Sequence, residues 1–418
     1  MTALTQRPAP KPMLSVREAL DILLAAALPV EEIETIPTLE ANGRVLARDE
    51  ASTIDVPSAD NTQMDGYAVR THDCASGGAT LRVAQRIPAG QVGAPLQVGT
   101  AARIFTGAMI PSGADAVVMQ EQCEVQGDHV IVRHIPQPGE WIRRTGEDIV
   151  AGSVILLAGE RLRAQELGLA ASSGLATLPV RRPVRVGVFF TGDELTMPGE
   201  APGGQLAPGA IYNSNRFTLR GLLENLGCEI SDFGIVPDSL EATRATLRQA
   251  AQQNDLIITS GGVSVGEEDH IKPAVEAEGK LSMWQIAVKP GKPLAFGHVL
   301  REGAIAHFIG LPGNPVSSFI TFLMFVRPFI LRLQGVTGPV EPRSYPLRAD
   351  FNWSKPDRRN EFLRVRMNAG GGLDLFPNQG SGVLTSTCWA DGLVDNPPGK
   401  AIAEGDTVRF IPFSELLY

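Results

Sequence analysis

The sequence predicts an α/β plus β chain of several domains. A central parallel-sheet α/β domain is joined to a small β domain, an extended linker domain and a C-terminal β-barrel-like domain. Three observations carry this. Between residues 183 and 336, short apolar runs alternate with helical patterns, as strands and helices of a parallel sheet do. Residues 58–149 and the stretch after Gly338 instead hold short alternating runs broken by Gly and Pro. A chain of 418 residues is long enough for about two to four domains, each with its own core.

In chain order, residues 1–13 carry Pro8, Pro10 and Pro12 and read as a disordered lead. Ser15 to Glu18 form a capping box, and Leu20, Leu23, Leu24, Ala27 and Leu28 give the next helix its apolar face. Residues 38–57 read as a short helix followed by an extended crossing. With residues 150–182, where Ala164–Ser173 is a predicted helix stopped by Gly174, the segment 14–57 makes a discontinuous linker domain. Within 58–149, Val117–Val125 and Val130–Ile135 are predicted to pair as a hairpin. The α/β domain follows: strands 184–190, 229–236, 255–259, 283–288 and 305–309, with helices 215–226, 240–252, 270–277 and 316–333. In 338–418, residues 361–367 and 373–376 form a hairpin, and 383–390 and 400–413 add strands.

Ligands of open α/β sheets bind past the carboxyl ends of the strands. Glu194, Asp238 and Asp269 all fall there. Ser260-Gly261-Gly262-Val263-Ser264-Val265-Gly266 is a glycine-rich turn after a strand, where backbone N–H groups can approach a phosphate. The acids Glu267, Glu268 and Asp269 would repel that phosphate unless a hard cation lay between them. Lys289 and Lys292, in a proline-braced loop, are point charges for a second anionic group. Together these features suggest a nucleotide-like or polyphosphate ligand handled with magnesium. Asp65 and Asp148 serve equally well as turn caps, and Asp238 shares the role of helix cap with Ser239.

Composition excludes other classes. A net charge of -9 argues against a general nucleic-acid binder. Cys74, Cys123, Cys228 and Cys388 lie far apart, so neither a disulfide framework nor a zinc site follows, and a reducing cytoplasm is the expectation. The apolar stretch Val316–Val326 stops at Arg327-Pro328, too short to span a bilayer.

The motifs MDGYA, IFTGA with PSGADAVV, TGEDI, TGDEL, GGVSVGEED, KPGKP and LPGNPVSS occur in this order. From about residue 15 to its end the chain thereby resembles the molybdopterin molybdenumtransferases, the family that includes the gephyrin E domain. Gln63 before MDGYA, Phe105 in IFTGA and His270 after Asp269 depart from the pattern, and none removes a charged group.

The resemblance implies an elongated homodimer of four-domain subunits, its α/β domain being of the molybdopterin-binding type. It implies an enzyme that takes adenylylated molybdopterin and molybdate and releases molybdenum cofactor and AMP with Mg²⁺. The active cleft would draw Asp65, Thr106 and Asp148 from one chain. The other would supply Glu194, Asp238, Asp269, Lys289 and Lys292, with Glu194 and Asp269 as the metal ligands. Ser260, Gly261, Gly262, Ser264 and Gly266 would line the substrate loop. Pro312, Gly313, Asn314 and Pro315 would shape the pterin pocket, and Arg364 and Ser381 would hold molybdate. Implied partners are an upstream adenylyltransferase and recipient molybdoenzymes. Two other readings stay open: an adenylyltransferase-like enzyme, which would consume ATP, and a pterin-binding scaffold without turnover.

Overall fold

The computed structural model describes residues 13–263 and 270–417. Ser15 caps the first helix, Val16–Ala26, and its hydroxyl and Glu18 complete the capping box. Ala19, Leu20 and Leu23 sink into the main core beside Val184 and Phe329.

The chain then crosses away and returns. Ile33–Pro37 pairs antiparallel with Thr177–Arg181, and Glu50–Ala51 with Val154–Leu156. The two stretches share one core of Leu46, Leu156, Leu162, Ala170 and Val180. The helix predicted after residue 38 is a single 3₁₀ turn, Thr38–Glu40. A second helix, Ala164–Ser172, ends at Ser173, with Gly174 in the left-handed region at φ 80°.

Residues 66–132 contribute a six-stranded sheet in the order Ala116–Met119, Gly66–Val69, Thr100–Ile104, Ala79–Ile87, His129–Val132, Cys123–Gln126. The predicted strand 117–125 is thus two strands. Ala116–Met119 leaves to pair with Gly66–Val69, a 3₁₀ turn intervenes, and only Cys123–Gln126 forms the hairpin with His129–Val132. The close pairing explains Gly66: a Cβ there would stand 2.0 Å from the Val118 carbonyl oxygen.

The next sheet positions the site. Its order is Glu229–Val236, Arg185–Thr191, Leu256–Ser260, Ala304–Leu311, Pro293–Arg301, Gly279–Gln285. The first four strands are parallel, and Pro293–Arg301 runs antiparallel to both of its neighbours, so the sheet is mixed where a parallel one was predicted. The reason is the short connection from Arg301 to Ala304, which reverses the chain without a crossover helix. One long helical run, Pro315–Leu333, contains a π-helical turn at Phe322–Val326. It is long and apolar enough to cross a membrane, yet 94% of that window is buried inside the protein. Its Phe319, Phe322, Phe325 and Phe329 belong to the main core.

The last sheet runs Val288–Lys289, Asn360–Met367, Gly392–Asn396, Thr407–Pro412, Tyr345–Arg348, with Leu373–Leu375 also on Asn360–Met367. A parallel bridge from Ala349, just past Arg348, to Leu373 links the edge strand Tyr345–Arg348 to Leu373–Leu375. The strand predicted at 383–390 is a short helix, Thr385–Trp389. Buried Ser386 turns inward there, donating to Val383 O and accepting from Arg364, and this tertiary contact overrides the β-branched local sequence.

Candidate active site

Four parallel strands end at one cleft of about 760 Å³. Arg185–Thr191 delivers Gly192 and Glu194, and Glu229–Val236 delivers Asp238. Leu256–Ser260 opens into Gly261 and Gly262, and Ala304–Leu311 into Pro312–Pro315. The Lys289–Pro293 loop closes one side, and Gln379, Gly380 and Ser381 enter from the last sheet region. Of the predicted site residues, the cleft therefore gathers Glu194, Asp238, Ser260, Gly261, Gly262, Lys289, Lys292, Pro312, Gly313, Asn314, Pro315 and Ser381. Ser264, Gly266 and Asp269 lie outside the described residues.

Local constraints make this approach possible. Gly261 has φ 102°, and a Cβ would stand 2.8 Å from the Thr191 carbonyl oxygen. Gly291 has φ 108°, and a Cβ there would stand 2.6 Å from Thr321 Oγ1. Larger residues at either point would push the loops apart. The Asn215 amide ties the walls together, its Nδ2 donating to Ser260 Oγ and Gly313 O, both at 2.8 Å. Ser260 Oγ in turn donates to Pro312 O at 3.0 Å. The helix Pro315–Leu333 starts at the cleft, and its Val316 N–H donates to Ser381 O at 3.0 Å.

The structure separates the roles of the charged groups. Ser239 accepts from Ala242 N–H and is the helix cap, so Asp238 is released from that duty. Lys292 is exposed and makes no ion pair among the described residues. Lys289 is not a free point charge. Its Nζ lies 3.1 Å from Glu361, whose side chain is 1% exposed, and 3.6 Å from Asp357. Arg359, which the motifs did not single out, lines the cleft and grips Asp357 with Nε at 2.9 Å and a terminal nitrogen at 2.8 Å. That guanidinium holds the Asp357 carboxyl far below the usual carboxylate range, its own burial opposing and Lys289 adding a smaller pull.

Arg364 corrects the sequence reading. It is 1% exposed and does not line the cleft. Its guanidinium donates to Ser386 Oγ, Phe362 O and Gly380 O, and burial lowers its pKa to about 10. It therefore supports the Gln379–Ser381 loop, whose residues line the cleft.

Asp65, Thr106 and Asp148 do not line this cleft either. Asp65 Oδ1 accepts from both Thr106 N–H and Thr106 Oγ1 at 2.8 Å, and the backbone bond foremost lowers its pKa. Beside them the Arg86 and Arg103 guanidiniums stack on the Phe105 ring at 4.4 and 4.5 Å. Asp148 is exposed in its turn, with its N–H on Val56 O.

Besides Arg359, the sequence reading missed Asn213 and Asn215. Asn213 Oδ1 caps the helix Ser214–Asn225 by accepting from Arg216 N–H. Polar residues opening a helix signal a cap and nothing more, so cleft placement was not visible in them. Among the described residues no three His, Cys, Asp or Glu side chains converge as a metal cage. The cleft does offer the hard oxygens of Glu194 and Asp238. Mg²⁺ commonly takes one or two carboxylates and completes its shell with water and phosphate, so this donor set fits it.

Comparison with known proteins covers nearly the whole chain. Three family models match: MoeA N-terminal region (domain I and II) at residues 14–174, probable molybdopterin binding domain at 187–332, and MoeA C-terminal region (domain IV) at 346–413. A molybdopterin molybdenumtransferase of Haemophilus influenzae is 40% identical, over 97% of this chain and 100% of that one. Another, from Nostoc, is 36% identical over 95% of this chain and 93% of the relative. The crystal structure of a molybdopterin biosynthesis moeA protein from Pyrococcus horikoshii OT3 superposes with a TM-score of 0.83 at 28% identity, covering 96% and 100% of the two chains.

Proposed function

This chain belongs to the molybdopterin molybdenumtransferase family, and from that premise we propose that its strand-end cleft binds adenylylated molybdopterin and molybdate and releases AMP and molybdenum cofactor. It is an enzyme of molybdenum cofactor biosynthesis. The observation that carries the assignment of chemistry to this cleft is the meeting of four strand ends with Lys292 and Arg359 in one space. The Gly262 backbone and the helix start at Pro315 suit phosphate oxygens, while the Gly261 N–H is held by Leu311 O at 3.1 Å. Lys292, exposed in the cleft, suits a tetrahedral dianion such as molybdate, and Arg359, held on Asp357, adds its positive charge to the same space. Ser381 joins them, held by the helix start and by the loop that Arg364 supports.

Glu194, with Asp269, is our assignment for Mg²⁺, which when bound would offset charge on the pyrophosphate linkage. Asp238, freed from capping, is placed to hold a proton or water at the same strand ends. The active form in this reading is a homodimer, and Asp65, Thr106 and Asp148 of the partner subunit complete the cleft. Their supporting observation is that Asp65 and Thr106 are locked together, away from the cleft of their own chain. The domain division 14–57 with 150–182, 58–149, 183–336 and 338–418, the barrel-like character of the last, and a cytoplasmic location belong to the same reading. So do an upstream adenylyltransferase and recipient molybdoenzymes as partners.

The test is AMP release from adenylylated molybdopterin by the purified protein, with molybdate and Mg²⁺ each omitted in turn. Release that needs both is expected. Tight binding without release would make the chain a scaffold, and ATP consumption would make it an adenylyltransferase.

A further inference from the structure

Asn215 opens the helix Ser214–Asn225 in the cleft wall and is 8% exposed. Its Nδ2 is committed to Ser260 Oγ and to Gly313 O. A carbonyl oxygen only accepts, so the Gly313 contact forbids the amide from turning over. The side-chain oxygen Oδ1 is thereby fixed on the opposite edge, where it is buried and has no hydrogen-bond partner among the described residues. Buried polar atoms are almost always paired, and an orphan in the wall of a substrate cleft points to a ligand donor.

The sign of the orphan selects the ligand. An acceptor oxygen repels phosphate and molybdate, which carry acceptors only, and it welcomes an N–H. The substrate of this family carries two exocyclic amines on nitrogen heterocycles, one on its pterin and one on its adenine. We propose that Asn215 Oδ1 accepts a hydrogen bond from an exocyclic heterocycle amine of the substrate and so sets the ring specificity of the cleft. This rests on the functional reading above. Asn215 then has two jobs: its nitrogen holds the Ser260 and Gly313 loops at a fixed spacing, and its oxygen reads the ring that enters between them.

Binding of matched ligand pairs tests the oxygen separately from the nitrogen. One pair is AMP and purine riboside 5′-monophosphate, and the other is 6-hydroxymethylpterin and the same pteridinone without its 2-amino group. The wild-type protein should prefer the amine-bearing member of one pair by roughly 10- to 100-fold, and the responding pair identifies the ring. Asn215→Ala should bring that pair within about 2-fold, because the acceptor has gone. Ser260→Ala removes a bond to Nδ2 but leaves Oδ1, so it should retain the preference. Equal or absent binding of both pairs by the wild type overturns the inference without recourse to any variant. A preference that survives in Asn215→Ala, or that Ser260→Ala abolishes to the same extent, also overturns it. Turnover of adenylylated molybdopterin is measured alongside. Its absence strikes the functional reading, whereas turnover without amine preference strikes this inference alone.

Discussion

The strand-end cleft and the Asp65–Thr106 turn were both marked by sequence motifs, but the fold treats them differently. In the cleft, residues as far apart as Glu194 and Pro315 share one space because parallel strands all end on one side of their sheet. At the turn, Asp65 and Thr106 are joined by two 2.8 Å bonds at neighbouring strands, and neither lines the strand-end cleft. The first region is a site that topology assembles. The second is a rigid pair presented outward, with two arginines stacked on Phe105 beside it. In the proposed dimer this pair would meet the cleft of the partner subunit.

The sharpest way to break this comparison is to mix two inactive variants. Asp65→Asn and Glu194→Gln should each lower turnover by roughly 10²-fold or more while remaining folded. Reassorted at equal ratio, half of the dimers carry one intact cleft, and about a quarter of wild-type activity should return. No recovery despite proven subunit exchange would place both residues on the same cleft and remove the distinction.

A smaller effect is expected beneath the cleft. Arg364→Met leaves Gly380 O, Phe362 O and Ser386 Oγ without their donor, and each buried orphan costs about 1–3 kcal/mol. The melting temperature should fall by several degrees and KM for molybdate should rise as the Gln379–Ser381 loop loosens. A lowered melting temperature with unchanged KM would show that Arg364 supports the fold but not the site.

The mildest effect separates the regions by pH. His307, in the cleft-bearing sheet, packs edge-on to Phe329 at 5.1 Å, and burial, with His298 adding to it, lowers its pKa from 6.5 to about 4. The unfolded chain then binds the proton first. The contribution of His307 to stability is therefore complete above pH 6.5 and declines as the pH falls toward 4. Denaturant titrations of His307→Phe should show a flatter pH dependence in that window. An unchanged slope would assign the acid sensitivity elsewhere.

Much of this architecture is legible in the amino-acid sequence alone. The capping box at Ser15, the strand Glu229–Val236 and the helix Leu240–Gln253 follow from patterns within about a dozen neighbouring residues. The strand-end rule placed Glu194 and Asp238 at the cleft for the same reason, because a strand carries its next loop with it. What the sequence could not decide was every question about distant neighbours. Whether Arg359 or Arg364 lines the cleft depends on which face of the last sheet region meets the Lys289 loop. Lys289 looked free until Glu361, 72 residues away, closed on it. Residues 385–389 form a helix in which Ser386 meets Arg364, a partner 22 residues away. Local periodicity records which side of an element is buried, and only the packed chain decides what it is buried against.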